Sequence, residues 1–424
     1  MFALAEHRTS VRTEVLAGAT TYLTMAYIVV VNPSILHAAG IDHGAAFTAT
    51  CVAAAIGTAA MALLANLPLA LAPGMGLNAY FAFSVVGAMH VPWQTALGAV
   101  FLSGLLFLIV SVLRVREWLI NAVPISLKLG IGAGIGLFLG TIGLQGMGIE
   151  VASPATLVTL GHLGETKTAL SCAGFLIMAG LAARRVPGAI LIGILLAALA
   201  GIPFGLTTFN GIVAPPPSLA PTFLQMDLRA ALGLGVVTVV LTFFLVDVLD
   251  NAGTLIATTQ RAGLLRPDGT VPRLREALLA DSCGAMLGAV LGTSTTTSYI
   301  ESAAGIQAGG RTGLTSLVTA TLFLLTLVFA PLATAIPGFA TAPALVFVAC
   351  LMASALRDVD WDDVTEYLPA VVVALTTPFT FSVASGIGLG FIAYAVVKAI
   401  AGRAGEVGAA VWLIAALGLV KFAL

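Results

Sequence analysis

Three acids stand where charge is expensive. Asp247 and Asp250 lie in the run VVLTFFLVDVLDNAGTLIATT, Glu301 ends the hydroxyl-rich LGTSTTTSYIE, and none of the three can be placed in a loop or at an interface. A carboxylate at bilayer depth costs about 2.5–3.5 kcal/mol on insertion scales and normally faces a cavity. Asp247, Asp250, Asn251, Thr254 and Thr258 recur at i, i+3, i+4, i+7 and i+11, one polar stripe on an otherwise apolar helix. Interhelical hydrogen bonds can produce such a stripe, but a purely structural pair of acids wants a basic partner. Lys128 is the only candidate inside a span, and it reads as a side chain snorkelling toward the cytoplasmic surface. A functional pocket is the better reading. Carboxylates sharing a low-dielectric cavity cannot all ionise cheaply, so at least one is expected to carry a proton.

The stretch LALAPGMGLNAYFAFS, Leu69 to Ser84, puts Pro73, Gly74 and Gly76 at membrane depth. Irregular backbone is tolerated there only where it lines a protein-enclosed cavity. Leu291 to Glu301 is a second such segment, and two broken segments at matching places in two halves mark a transporter's binding site. Extended backbone around Gly76 and Thr297 would offer N–H and C=O groups, and Asn78 adds a side-chain donor and acceptor. With the acids, this set suits a small, flat, neutral molecule with several N–H and C=O edges better than an inorganic anion. Phe81, Tyr80, Phe243 and Tyr299 are placed either to stack on such a ring or simply to pack.

The elements that must hold these groups are transmembrane helices. The 424 residues are 59% hydrophobic and 9% charged, with a mean hydropathy of +1.08; an ordinary soluble domain would be roughly a quarter charged. No basic patch with interleaved aromatics points to nucleic acid. The isolated Cys51, Cys172, Cys283 and Cys350 suggest neither a disulfide nor a metal framework, and no removable signal peptide is expected. Apolar runs place fourteen spans near 13–36, 44–65, 69–88, 94–113, 117–141, 168–184, 187–201, 230–257, 275–292, 293–308, 312–332, 336–356, 366–382 and 384–400. Val411 to Ala423 is a further, shorter apolar run. With the N-terminus inside, fourteen of the eighteen Lys and Arg, Lys398 among them, fall on the cytoplasmic side. His37, His43, His90 and His162 fall in outside loops. The Pro-rich stretch 202–229 reads as an extracytoplasmic connection between two seven-span halves. An odd number of spans makes the second half enter from the opposite side, so a structural repeat would be inverted.

PGMGLNAYFAF, FFLVDVLDNAGTL and GTSTTTSYIESAAG, with VVNPSIL, FTATCVAAAIGT and ATLVTLG, resemble the purine permeases of the azaguanine-resistance type, within the nucleobase-ascorbate transporter superfamily. The resemblance implies an all-α polytopic membrane protein of fourteen transmembrane segments in two inverted repeats, with short extended strands in spans 3 and 10. It implies a core domain from 13–113 and 230–332, a gate domain from 117–201 and 336–400, and a homodimer in the plasma membrane (bacterial inner membrane). It also implies proton-coupled symport of hypoxanthine, guanine or adenine, with no cofactor and no metal. Carried over by motif, Asp247 and Glu301 would bind the purine, and Asn78 and Asp250 would support affinity or proton coupling. Two alternatives remain. A sulfate-type anion exchanger of the same architecture would want a basic or neutral site. An intramembrane aspartyl enzyme would need its two acids on facing helices, whereas Asp247 and Asp250 share one.

Overall fold

In a computed structural model of the chain, all residues are described except 1, 113–122, 155, 210, 234–235, 265–270 and 424. The elements run α1 (Val11–Met25), α2 (Ile28–Ala38), α3 (His43–Ala60), β1 (Leu71–Pro73), α4 (Met75–Ala79), α5 (Trp93–Val112), α6 (Ile125–Gly146), β2 (Glu150–Ser153), β3 (Leu157–Leu160), α7 (Thr166–Ala183) and α8 (Ala189–Gly201). After the connection come α9 (Val237–Arg261), α10 (Leu274–Leu291), β4 (Thr296–Ser298), α11 (Ser302–Gln307), α12 (Gly313–Thr326), α13 (Gly338–Ala353), α14 (Val364–Phe379), α15 (Val383–Ile400) and α16 (Ala409–Ala423). Among the described residues, eight helices are long and apolar enough to cross a membrane, and Met75–Ala88, Ala189–Phe204 and Val364–Phe379 are shorter apolar helices. The protein is thus a mostly helical, polytopic membrane-type fold. The first residues of the span expected at 117–141 lie outside the described residues; the remainder is α6.

Contacts gather the chain into two compact units, Met1–Val112 with His162–Ala344, and Leu113–Gly161 with Leu345–Leu424. Residues 162–201 and 336–344 fall in the first of these units.

In the first unit the two interrupted segments meet as a two-stranded antiparallel ribbon, with Leu71 opposite Ser298, Ala72 opposite Thr297 and Pro73 opposite Thr296. The ladder continues through Tyr299 N–H to Ala70 O (3.0 Å) and Gly74 N–H to Thr295 O (2.9 Å). Alternation along such a ladder turns the N–H and C=O of residues 71 and 73 away from β4, and at membrane depth those groups still need partners. For Leu71 the Thr58 hydroxyl serves both, accepting from its N–H and donating to its C=O at 2.9 Å each. Pro73 has no N–H to satisfy, which is why proline is tolerated on this edge. Its carbonyl accepts from Asn78 Nδ2 (3.3 Å) and from the Tyr299 hydroxyl. The connection 202–229 is pinned to the same unit, with Thr222 Oγ1 donating to Leu291 O at 2.9 Å and Leu224 N–H to Val290 O at 2.9 Å.

The second unit packs α6, α14, α15 and α16. The glycines of α6 let backbones touch: a Cβ on Gly130 would lie 2.7 Å from Ala370 O, and one on Gly134 2.9 Å from Thr377 Oγ1. Lys398, counted on the cytoplasmic side at the end of the expected span 384–400, is 1% exposed in the last turn of α15. It is held there by ion pairs of 2.8 Å to Glu366 and to Glu406. Ser126 and Tyr394 also donate to Glu366, and Arg403 bridges Asp363 (2.6 Å) and Glu406 (2.8 Å). Lys128 sits half-buried in the first turn of α6, with no ion pair among the described residues. The hairpin β2–β3 pairs Glu150 with Leu160 through Ser153 with Leu157 and was not foreseen from the sequence.

Candidate functional site

The polar stripe lies on one continuous helix, as its spacing requires. Asp247, Asn251, Thr254 and Thr258 occupy the buried face of α9, while Asp250 stands at its edge and is exposed. Asp247 is 0% exposed. Its neighbours are the Asp281 carboxyl of α10, the Thr297 hydroxyl of β4 and, one turn on, Asp250. Asp281, itself fully buried, accepts from Ser298 Oγ at 3.1 Å. Asn251 is fully buried with neither amide atom hydrogen-bonded among the described residues, the kind of group that takes a water or ligand as partner.

The residues expected to form the site divide sharply by position. Gly76 and Glu301 keep accessible surface and begin the short helices at the two ends of the ribbon. Asn78, Thr297, Phe81 and Asp247 are enclosed. Asn78 acts as a clasp, donating to Pro73 O and accepting from Ser294 Oγ, so its amide braces one broken segment against the other. Phe81 is a core side chain. Tyr80 and Phe243 pack edge-on at 5.0 Å, and Tyr299 ties its hydroxyl to Pro73 O, so all three serve packing. His37 stands in the last turn of α2 and His43 opens α3, where loops were expected; with His90 and His162 they are half-buried or exposed and take no part in this cluster.

Glu301 is the best-placed acid. One carboxylate oxygen, Oε1, accepts from the Tyr27 hydroxyl at 2.7 Å, while Asp250 and Tyr299 are its electrostatic neighbours. At the opposite end of the ribbon Gly74 makes it narrow: a Cβ there would come within 2.8 Å of Thr297 Cγ2. Sequence reasoning missed Asp281 and Tyr27. The signal for Asp281 was a lone acid among small residues in LLADSCGAMLG; for Tyr27 the sequence carries no Pro or Gly to betray the break it occupies.

Two broken segments crossing in a buried ribbon, flanked by acids in a bundle of apolar helices, define a membrane carrier. A family model, the permease family, matches residues 12–417, and the chain belongs to that family. It is a permease and not an enzyme. The chain is 47% identical over 421 residues to the adenine permease AdeP of Escherichia coli, covering 99% of this chain and 95% of that one. It is 46% identical over 418 residues to the guanine/hypoxanthine permease PbuG of Bacillus subtilis, covering 96% and 95%. Among solved structures, the transmembrane domain of a cyanobacterium bicarbonate transporter, BicA, shares the fold with a TM-score of 0.68 at 18% identity, over 88% of this chain and 96% of that one.

Proposed function

We propose that this permease imports purine nucleobases, hypoxanthine, guanine or adenine, by proton symport across the bacterial inner membrane, with its N-terminus cytoplasmic and as a homodimer. The observation that carries the reading is the accessible Glu301 carboxyl at the end of the β1–β4 ribbon, with Asp250 beside it. Carboxylate oxygens accept from the N–H edge of a purine, and the backbone at Gly76 adds a further contact. Two adjoining acids repel the inorganic anion that a sulfate-type exchanger would carry.

Asp247 and Asp281 suit a different task. Enclosed side by side, the two cannot both ionise cheaply in a medium of low dielectric, so the pair holds the coupling proton while Glu301 and Asp250 face the ligand. Asn78 and Thr297 support the chamber from behind. Alternation follows from an elevator-like movement of a core built on 13–113 and 230–332 against a gate built on 117–201 and 336–400. The identity to adenine and guanine/hypoxanthine permeases over nearly the whole chain supports the substrate class.

The test is uptake of labelled hypoxanthine, guanine and adenine into proteoliposomes under an inward proton gradient. Accumulation of at least one, dissipated by a protonophore, is expected, and failure of all three refutes the substrate assignment. Glu301→Ala and Asp247→Ala should abolish transport while the protein still inserts; normal transport by both would remove these residues from the mechanism.

A further inference from the structure

The first span does not run straight. It breaks at Ala26 and Tyr27, between α1 and α2, and the residue at the break points inward: Tyr27 is 1% exposed and donates its hydroxyl to Glu301 Oε1 at 2.7 Å. One turn earlier Thr24 Oγ1 donates to the Glu301 backbone carbonyl at 3.4 Å. The separation between these partners is fixed by contact. A Cβ on Gly305 of α11 would meet Thr21 Oγ1 at 2.0 Å and Ala17 O at 2.5 Å, so α11 lies backbone against backbone on α1. Glu301, immediately before α11, is therefore carried at a set distance from Tyr27.

The geometry points to Tyr27 as a positioning residue that fixes how Glu301 meets its ligand, and through that as a determinant of which purine is preferred. This rests on the purine reading given above. With Tyr27 donating to Oε1, that oxygen is the more occupied of the two, and Oε2, which receives no side-chain donor among the described residues, is the better acceptor for a ligand. On its pyrimidine edge hypoxanthine offers a single N–H, at N1, beside its carbonyl, and one oxygen serves that edge. Guanine offers two parallel donors, N1–H and the 2-amino group, which match both oxygens of a carboxylate, and here its second donor goes unserved. On the same edge adenine carries an acceptor at N1 and its donor at the exocyclic amine. Tyr27 thus biases the site against the ligand that would use the whole carboxylate.

The experiment measures dissociation constants of hypoxanthine, guanine and adenine on the purified full-length protein, parent and Tyr27→Phe. The variant frees Oε1, so the affinity for guanine relative to hypoxanthine should rise about tenfold, the worth of one hydrogen bond to a charged group. Thr24→Val, which cuts the other link between α1 and residue 301 without touching the carboxyl, should leave that ratio unchanged. An equal shift for all three purines, or none, in Tyr27→Phe overturns the inference and leaves Tyr27 a packing group. Should Tyr27→Phe fail to insert, Glu301→Gln decides. Tyr27 would hold the amide oxygen and turn the amino group to the ligand, so adenine, with its N1 acceptor, should lose less affinity than hypoxanthine or guanine; equal losses overturn the inference. A parent protein that binds none of the three purines refutes the proposed function instead.

Discussion

Thr58→Val tests how an exposed strand edge is held at membrane depth. The exchange keeps shape and volume and removes one hydroxyl, which in the parent accepts from Leu71 N–H and donates to Leu71 C=O, both at 2.9 Å. Thr58 and Leu71 are both fully buried, and the ladder turns these Leu71 groups away from β4, so no water and no strand replaces the hydroxyl. A buried backbone group left without a partner costs about 1–3 kcal/mol; two of them cost about 2–6 kcal/mol, a large share of a typical 5–15 kcal/mol margin. Thr58→Ser is the control, since it keeps the hydroxyl and loses one methyl, worth about 1 kcal/mol. Melting midpoints of the detergent-purified variants should place Thr58→Val well below Thr58→Ser, by roughly 4 °C or more, with purine binding weakened as β1 loosens. A valine variant as stable as the serine variant would refute the account of the ribbon's outer edge.

Two further outcomes follow from charges outside this ribbon. Glu14 accepts from the backbone N–H groups of Arg311, Thr312 and Thr315 at 3.0–3.3 Å and from the hydroxyls of Thr312 and Thr315, so Glu14→Ala should cost about 3 kcal/mol or more, read as a lowered melting midpoint; an unchanged midpoint would deny Glu14 its role at the start of α12. In the second unit, Arg403 and Lys398 pull Glu406 down to about 2, and hydrogen bonds from Thr365 and Arg403 hold Asp363 below the usual carboxylate range. A depressed folded-state value stabilises above the ordinary carboxylate range and loses that contribution as pH falls, so the melting gap between parent and Glu406→Gln should shrink from about pH 4.5 and close near pH 2; a gap constant across that window would rule the ion pairs out.

What the sequence revealed and what it hid follow from one distinction, between local period and tertiary contact. The stripe from Asp247 to Thr258 was legible because a helix repeats on its own, and the breaks at Pro73 and Gly74 and at Thr293 to Ser298 were legible because glycine, proline and hydroxyl runs interrupt apolar periods. That these breaks pair, with Ala72 opposite Thr297, depends on residues more than two hundred positions apart. Asn78 looked free to serve a ligand because the carbonyl and hydroxyl that engage it, at Pro73 and Ser294, are decided by that pairing. Lys398 was counted only as one of the basic residues on the cytoplasmic side, and the fold alone brings Glu366 and Glu406 to it. Asp281 shows the same limit. It sits six residues after Arg275 and reads as the charged start of a span, yet packing of α10 against α5 and α3 encloses it beside Asp247. Two acids from two helices, rather than two along one, are enclosed together: Asp247 and Asp281 are sealed by protein, while Asp250 and Glu301 open to water, and on that difference in access rests the proposal that one pair holds the proton and the other meets the ligand.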